Sequence, residues 1–526
     1  MRRACTRGRL RAVALSVLGC LSIAFASGQD GAAIYKSRCA SCHDNSAAPH
    51  APETATLQTM TLDRILRSVE SGSMKNYASG LSTDEKRRLA EYLVGSAPVA
   101  SQVAASDQPK IHFGLSMNPR AASSFFGNGM LGRTLGIKEG SGVALGGLMI
   151  LDGNWLMAGG VKPDSLSGNF ALGLNLSIDT AKAFHVPGGQ IGAEFLEFNG
   201  SPTNKYAGSV QMYNGLTGST PLTRQELHQL WWRQRLLRDK FILKFGKLNA
   251  TSEFNTVLMP VLVTEPQVQD WTISDVIYAA AGINPTLFSK LPGYYNTAYG
   301  ATLSFLPTKS FYASYGIFDG NLGRYVQTGL NLGPDFNSYK FNIAETGYAW
   351  RLGDQGKPGR IAAGGWHQTG QLITPAGTYV NGASGFYAFG SQRLWYRQPG
   401  VNSSGLGSFY QFGYSNSNSE IATRYVGAGL TGVALVPKRP ADTMGVGLAW
   451  SRLNQTPGAG AFFFPGVPSA STSLRPSEVM WQGYYQAVLI PWKLVLVGAY
   501  SSIPTPGERP DLPWVHALTV RLNVLF

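Results

Sequence analysis

Of the 526 residues only 14% are charged, well under the roughly 25% of ordinary soluble domains, while glycine reaches 63, aromatics 11% and the formal net charge +14. Beyond the N-terminal leader no uninterrupted apolar stretch reaches the ~18 residues that a spanning helix needs, which excludes a helical membrane protein. Two of the 4 cysteines lie in that leader, so no disulfide framework is expected either.

The leader comes first. Arg2, Arg3, Arg7, Arg9 and Arg11 precede an apolar run from Ala12 to Ala26, and Ala24-Phe25-Ala26 puts small residues where a signal peptidase reads them. Residues 1–26 therefore read as an export signal. Cys20, after Val17-Leu18-Gly19, is faintly like a lipoprotein cleavage box, but the apolar run continues through Leu21 and Ile23. The leader arginines carry five of the +14, residues 27–98 are neutral, and the remaining +9 belongs to the rest of the chain.

Residues 27–96 read as a small helical module. Gly31 to Arg38 fits a short helix that turns Tyr35 inward, and Ser82 with Glu85 forms a capping box opening a helix through Val94 with Leu89, Tyr92 and Leu93 on one face. Between them stands Cys39-Ala40-Ser41-Cys42-His43. Two thiols separated by two residues reach the two vinyl groups of one haem, and the adjacent imidazole of His43 lies beneath the iron as proximal ligand. One covalent haem c is thus the expected cofactor. A redox CxxC or half a zinc site explains neither His43 nor the lack of a second ligand pair. For the other iron ligand Met74, in Ser71-Gly72-Ser73-Met74-Lys75 before the capped helix, is favoured over Met60, which also reads as core, and over His50, only seven residues from His43. From Gly31 to Gly95 the order of these segments resembles small mono-haem cytochromes c, which implies an all-α fold whose terminal helices cross over the porphyrin.

Residues 97–110 are Ala- and Ser-rich and read as a flexible linker. Residues 111–526 alternate. From Leu518 to Phe526, Thr519, Arg521 and Asn523 fall on one face and Leu518, Val520, Leu522, Val524 and Phe526 on the other, one suited to water and one to lipid. Gly483 to Leu489 and Lys493 to Tyr500 are further strands joined at Pro491. At about ten residues per strand the length predicts an antiparallel transmembrane barrel of roughly 16 to 18 strands, with an even count that returns the C-terminus to the side of entry.

Several blocks resemble the carbohydrate-selective porins of the OprB family: LGIKEGSGVALGGLMILDGNWLMAGG at 135–160, SIDTAKAF at 177–184, GGQIGAEFLEFNG at 188–200, AGSVQMYNGL at 207–216, RQELHQLWWRQRLL at 224–237 and FGKLN at 245–249. The resemblance implies a monomeric 16-stranded barrel in the outer membrane that passes sugars by diffusion, and the fused haem module departs from the ordinary member. With Leu230, Trp232 and Leu236 toward lipid, alternation sends Trp231, Arg233 and Arg235 to the lumen, and Phe241, Leu243 and Phe245 outward leave Lys244 inward. These four are the pore-lining candidates. Equally, they fit a wide wall, paired with carboxylates such as Glu226 or Asp239. The excess positive charge also suits acidic sugars or other anions.

His112, His185, His228, His367 and His516 are scattered singly, and Gly427 to Gly432 matches GxGxxG in a strand-like run with no helix after it. No nucleophile motif appears, so an electron carrier and diffusion pore is expected rather than an enzyme, with no nucleic-acid partner. Two mechanisms suit the fusion. Either the pore admits sugars or other small polar solutes while the haem module relays electrons from a periplasmic redox partner such as a sugar or alcohol dehydrogenase, or the barrel sheathes a conduit to an extracellular partner such as iron. The latter resembles cytochrome–porin fusions of iron-oxidising bacteria. Short turns and an even strand count favour a periplasmic haem module.

Overall fold

A computed structural model describes residues 30–95 and 129–526, apart from 45–53, 58–59, 61, 139, 218–222, 256–260, 263–268, 271–291, 293–295, 309, 325, 327–332, 400–403, 465–472 and 491–492. The export signal, the whole linker, His50, His112 and Pro491 lie outside the described residues. The chain forms two compact units, Met1–Gln102 and Val103–Phe526.

The first unit is helical: α1 (Gly31–Arg38), α2 (Ala40–His43), α3 (Thr54–Leu57), α4 (Leu62–Glu70) and α5 (Thr83–Gly95). The capping box forms as its sequence dictates. The Ser82 amide donates to Glu85 Oε2 at 2.9 Å and the Glu85 amide to Ser82 Oγ at 3.3 Å, satisfying two otherwise orphaned donors. Helices α1 and α5 cross closely at Gly31, where a Cβ would lie 2.2 Å from the Arg88 carbonyl oxygen. Around that crossing Ile34, Tyr35, Ile65, Val69, Ala78, Leu81, Leu89, Ala90 and Leu93 form the core. Tyr92 shares this face but is only partly covered. Its ring packs 5.7 Å from Tyr35 yet stays 36% exposed, because it sits at the edge of the crossing rather than beneath it.

The second unit opens with α6 (Met130–Thr134) and continues as β1 (Val143–Ala158), β2 (Ser165–Asp179), α7 (Thr180–Phe184), β3 (Gly189–Gly200), α8 (Thr203–Ala207), β4 (Thr223–Leu236), β5 (Phe241–Leu248), α9 (Ala250–Glu253) and a two-residue pair, β6 (Val261–Leu262) with β7 (Gln269–Asp270). Then follow β8 (Ala298–Phe305), β9 (Phe311–Asp319), β10 (Lys340–Leu352), β11 (Lys357–Ile373), β12 (Tyr379–Tyr396), β13 (Gly405–Ser415), β14 (Ala422–Val433), β15 (Thr443–Leu453), α10 (Ala459–Phe463), β16 (Ser477–Ile490), β17 (Leu494–Ile503) and β18 (Val515–Leu525). All but β6 and β7 join one closed barrel, each strand antiparallel to its neighbours in sequence, with β18 paired to β1. The barrel therefore has sixteen strands, within the expected range. Closure satisfies every strand edge, which hydrocarbon requires because it supplies no hydrogen-bond partner.

The seam is sealed at the last residue. Phe526 accepts from the Gly147 amide at 2.8 Å and donates to the Gly147 carbonyl at 3.1 Å, while its ring lies where a side chain at Gly147 would be. Side-chain alternation holds around the wall. Phe245, Leu303, Tyr315, Ile361, Phe386, Val426, Val446, Leu448 and Val520 are exposed on one face, and that apolar face is the lipid face. The GxGxxG run lies inside β14, as barrel glycines.

The longest connections lie at one end, where β3 and β4, β5 and β8, and β15 and β16 are joined across 201–222, 249–297 and 454–476; at the other, where β1 begins and β18 finishes, none exceeds nine residues. By the usual asymmetry of outer-membrane barrels the short-turn end is periplasmic.

Candidate functional site

In the helical unit the pentapeptide sits at the break between α1 and α2. The Cys39 amide still donates to the Tyr35 carbonyl at 2.9 Å, while the Cys39 carbonyl accepts from the Cys42 and His43 amides at 3.2 and 3.1 Å. One tight turn thus presents both thiols and the imidazole together. Both cysteines are free, Cys39 half-buried and Cys42 exposed. His43 is 8% exposed, and its carbonyl accepts from the Thr54 hydroxyl at 3.2 Å. The turn is braced behind by Tyr35, whose hydroxyl donates to Asp44 at 2.8 Å, and by a Thr54 hydroxyl bond to the same carboxylate. Those two bonds hold the Asp44 carboxyl below its ordinary range, while burial above all pushes the Tyr35 phenol up to about 12 and the Cys39 thiol upward.

Cys39, Ala40, Met60 and Met74 all border the same apolar core. Met74 lies on the turn after α4, its amide donating to the Ser68 carbonyl at 3.0 Å and its carbonyl accepting from the Tyr77 and Ala78 amides. Two thiols one turn apart beside a buried imidazole, with Cys39 and the thioether of Met74 bordering one apolar core, are the donor set a covalently attached haem takes, so the residues present fit the group. Among the described residues no cluster of three or more His, Cys, Asp or Glu side chains could hold a metal ion.

In the barrel, register pairs Trp231 with Gly246, Arg233 with Lys244 and Arg235 with Ile242, while Leu230, Leu236 and Phe245 stand on the lipid face. Trp231, Arg233, Arg235 and Lys244 accordingly share the inner face. Their surroundings differ. Lys244 is only 2% exposed: its ammonium is bonded to Glu253 on α9 and lies 4.3 Å from the centre of the Trp231 ring. Arg233 is fully buried beside it. Arg235, nearer the short-turn end, pairs with Asp239 at 3.0 Å, the carboxylate its sequence position suggested. Glu226 instead stands between Arg224, His228 and Lys247, at 3.7, 3.4 and 3.8 Å.

Two long loops fold inward onto the wall. Residues 249–255 cover β4 and β5 and reach across: the Asn255 amide donates to Glu345 on β10 at 2.6 Å, and Glu345 also accepts from the Tyr312 and Tyr387 hydroxyls. Residues 201–217 cover the opposite side, where Glu478 on β16 accepts from Ser209 Oγ and the Val210 and Gln211 amides, each at 2.8 Å, and from the Gly507 amide at 2.6 Å. Asn214 of the same loop donates to Asp152 and Asn154 on β1, each at 2.8 Å. The interior is thereby narrowed by two polar, carboxylate-anchored segments above aromatic walls. Glu253, Glu345, Glu478 and Asn214 were missed by sequence reasoning. The one available signal was a lone carboxylate at an inward position of β10 and of β16, while Glu253 and Asn214 sit in loops that strand periodicity does not reach.

The family described as Carbohydrate-selective porin, OprB family, matches residues 166–493, and the family described as Cytochrome C oxidase, cbb3-type, subunit III, matches residues 26–93. No curated protein sequence matches. The high-pH structure of Pseudomonas putida OprB superimposes with a TM-score of 0.63 at 15% identity, covering 77% of this chain and 100% of that one. The low-pH structure of the same protein gives a TM-score of 0.46 at 12% identity, covering 73% of this chain and 93% of that one.

Proposed function

We propose, for a chain that belongs to the OprB family of carbohydrate-selective porins, that it admits sugars or other small polar solutes through the outer membrane and relays electrons through one covalently attached haem c on its N-terminal module. The observation that carries this reading is the turn Cys39–His43, with both thiols free and the imidazole buried, in the same polypeptide as a closed sixteen-stranded barrel. Cys39 and Cys42 would form the thioether links, and His43 and Met74 would ligate the iron. When bound, the haem supplies a one-electron couple, and thioether ligation places its potential above that of a bis-imidazole site.

The chain's own residues do the rest. Tyr35, Thr54 and Asp44 fix the turn that aims His43, and the apolar core around Ile65 and Leu89 excludes water from that side. In the barrel, the inner-face ring of Tyr312, only partly buried, offers an apolar face to sugar rings, and the polar groups of the inward loops offer partners to hydroxyls. The strand β1 starts at the short-turn end, which supports a periplasmic haem module drawing electrons from a dehydrogenase that acts on the solutes admitted. The test combines two measurements on the mature protein. Liposomes containing it should swell faster in monosaccharides than in peptides of similar size, and the haem should be reduced by a periplasmic dehydrogenase fraction but not, in intact cells, by a membrane-impermeant iron complex. Reduction by the impermeant complex would instead establish the conduit to an outside partner.

A further inference from the structure

On the lipid face, at the periplasmic half of the wall formed by β13 to β18, lies a depression of about 600 Å³. Its sides are Leu406, Leu430, Met444, Val446 and Tyr485, and its floor is made by glycines on three strands, Gly432, Gly483 and Gly498. The barrel's own packing does not demand glycine at two of these. A Cβ on Gly498 would meet nothing within 4 Å, and one on Gly483 only the Gly445 carbonyl at 3.9 Å. The space is therefore left open toward the membrane rather than used by the protein.

The periplasmic end of the depression is closed by Leu435, on the turn between β14 and β15. Arg397, from the neighbouring turn, donates to the Leu435 carbonyl at 3.2 Å, which fixes a guanidinium at the mouth of the groove. Arg439 on the same turn bonds Asp442 at 2.6 Å and the Val488 carbonyl at 3.2 Å, and Tyr485 donates to Asp442 at 2.5 Å. Among the described residues of the three turns at this edge the charged side chains are Arg397, Lys438, Arg439 and Lys493 against Asp442 alone. An apolar slot that ends at headgroup depth in a net positive rim is complementary to a molecule with an acyl tail and an anionic head.

We propose that this groove binds one anionic glycerophospholipid of the periplasmic leaflet, with an acyl chain along the glycine floor and the phosphate against Arg397 and Lys438. Zwitterionic lipid has the same tail but gains little from the rim, so the site discriminates by headgroup. The experiment is native mass spectrometry of the full mature protein in mild detergent, offered equal amounts of phosphatidylglycerol and phosphatidylcholine, with heat-modifiable gel mobility confirming that each variant is a folded barrel. The wild type should retain one phosphatidylglycerol in preference to phosphatidylcholine by roughly tenfold. Gly498→Leu, or Gly483→Leu if the first fails to fold, should fill the slot and abolish retention of both lipids, whereas Arg397→Ala with Lys438→Ala should keep a lipid and bring the ratio near one. Equal retention of the two lipids by the wild type, or undiminished retention by the leucine variants, overturns the proposal.

Discussion

Arg521 on β18 donates Nε and Nη2 to the two carboxylate oxygens of Asp152 on β1, each at 2.7 Å, at directly opposed positions of the strand pair that closes the barrel. Asp152 is fully shielded, and its Oδ2 also receives the Asn214 side chain from the inward loop. One ion pair thus ties barrel closure to the placement of that loop. Arg521→Ala leaves a buried carboxylate without its cation, a change that costs about 3–5 kcal/mol in comparable cases. The expected result is a lower urea midpoint for the refolded barrel, together with noisier single-channel currents as the 201–217 loop loosens. Unaltered midpoint and unaltered noise would show that the pair does neither job.

A second expectation concerns charge selectivity. Lys244 is neutralised in place by Glu253, so the basic wall of β4 and β5 is weaker as a field source than its sequence suggests. Glu253→Gln releases that cation beside Arg233. In planar bilayers with a salt gradient the reversal potential should move toward greater anion preference, and Lys244→Met in the same background should return it. No movement in the first variant would mean that this wall does not border the conducting path.

The haem assignment is tested at each ligand separately. Cys42→Ser should leave a haem attached by one thioether, seen as a red shift of the reduced pyridine haemochrome band. Replacing both Cys39 and Cys42 by Ser should yield a colourless module. Met74→Ala should abolish the far-red sulfur-to-iron band while Met60→Ala keeps it, and the reverse pattern would transfer the role to Met60.

Much of this was legible in the chain because the strongest signals are local. The capping box of Ser82 and Glu85, the Gly31–Arg38 helix and the two-residue alternation of β18 each depend on neighbours within a few positions, and each appears where the sequence put it. Inner-face placement of Trp231, Arg233 and Lys244 follows from the same alternation. What alternation does not encode is which distant segment lands on that face. Glu253 meets Lys244 from beyond the end of β5, and Asn214 reaches Asp152 from sixty-two positions away. Such contacts depend on how long loops fold inward, and their sequences carry no period to read.

A pH effect follows from Glu508, in the loop between β17 and β18, whose amide holds the Gly208 carbonyl at 3.0 Å. Burial pushes its carboxyl up to about 6, with Glu478 adding to the rise and Arg509 and Lys205 opposing it. A carboxyl raised on folding is bound more tightly by its proton in the native state. Its contribution is therefore full below the unfolded value, ~4.3, and is lost as pH rises through about 6. Ionisation in place should cost at most about 2 kcal/mol. Glu508→Gln should match the wild type in acid and exceed its thermal stability above neutral pH; parallel curves at all pH values would contradict the burial argument.

The closest helix contact gives the last expectation. At Gly31, α1 and α5 approach so nearly that a methyl group would stand 2.2 Å from the Arg88 carbonyl oxygen and 2.8 Å from Tyr92 Cβ. Both are fixed by the main chain of α5, so the strain cannot be relieved by a rotamer change, and overpacking of this kind costs roughly 1–3 kcal/mol. Gly31→Ala should therefore spread the α1–α5 crossing and lower the melting temperature of the haem module, followed by Soret-region circular dichroism, while the heat-modifiable mobility of the barrel stays unchanged. Gly498→Ala, at a position with open space around it, is the matched control and should leave both readouts where they were. Equal melting for Gly31→Ala and the wild type would mean that the two helices do not pack at this distance in solution.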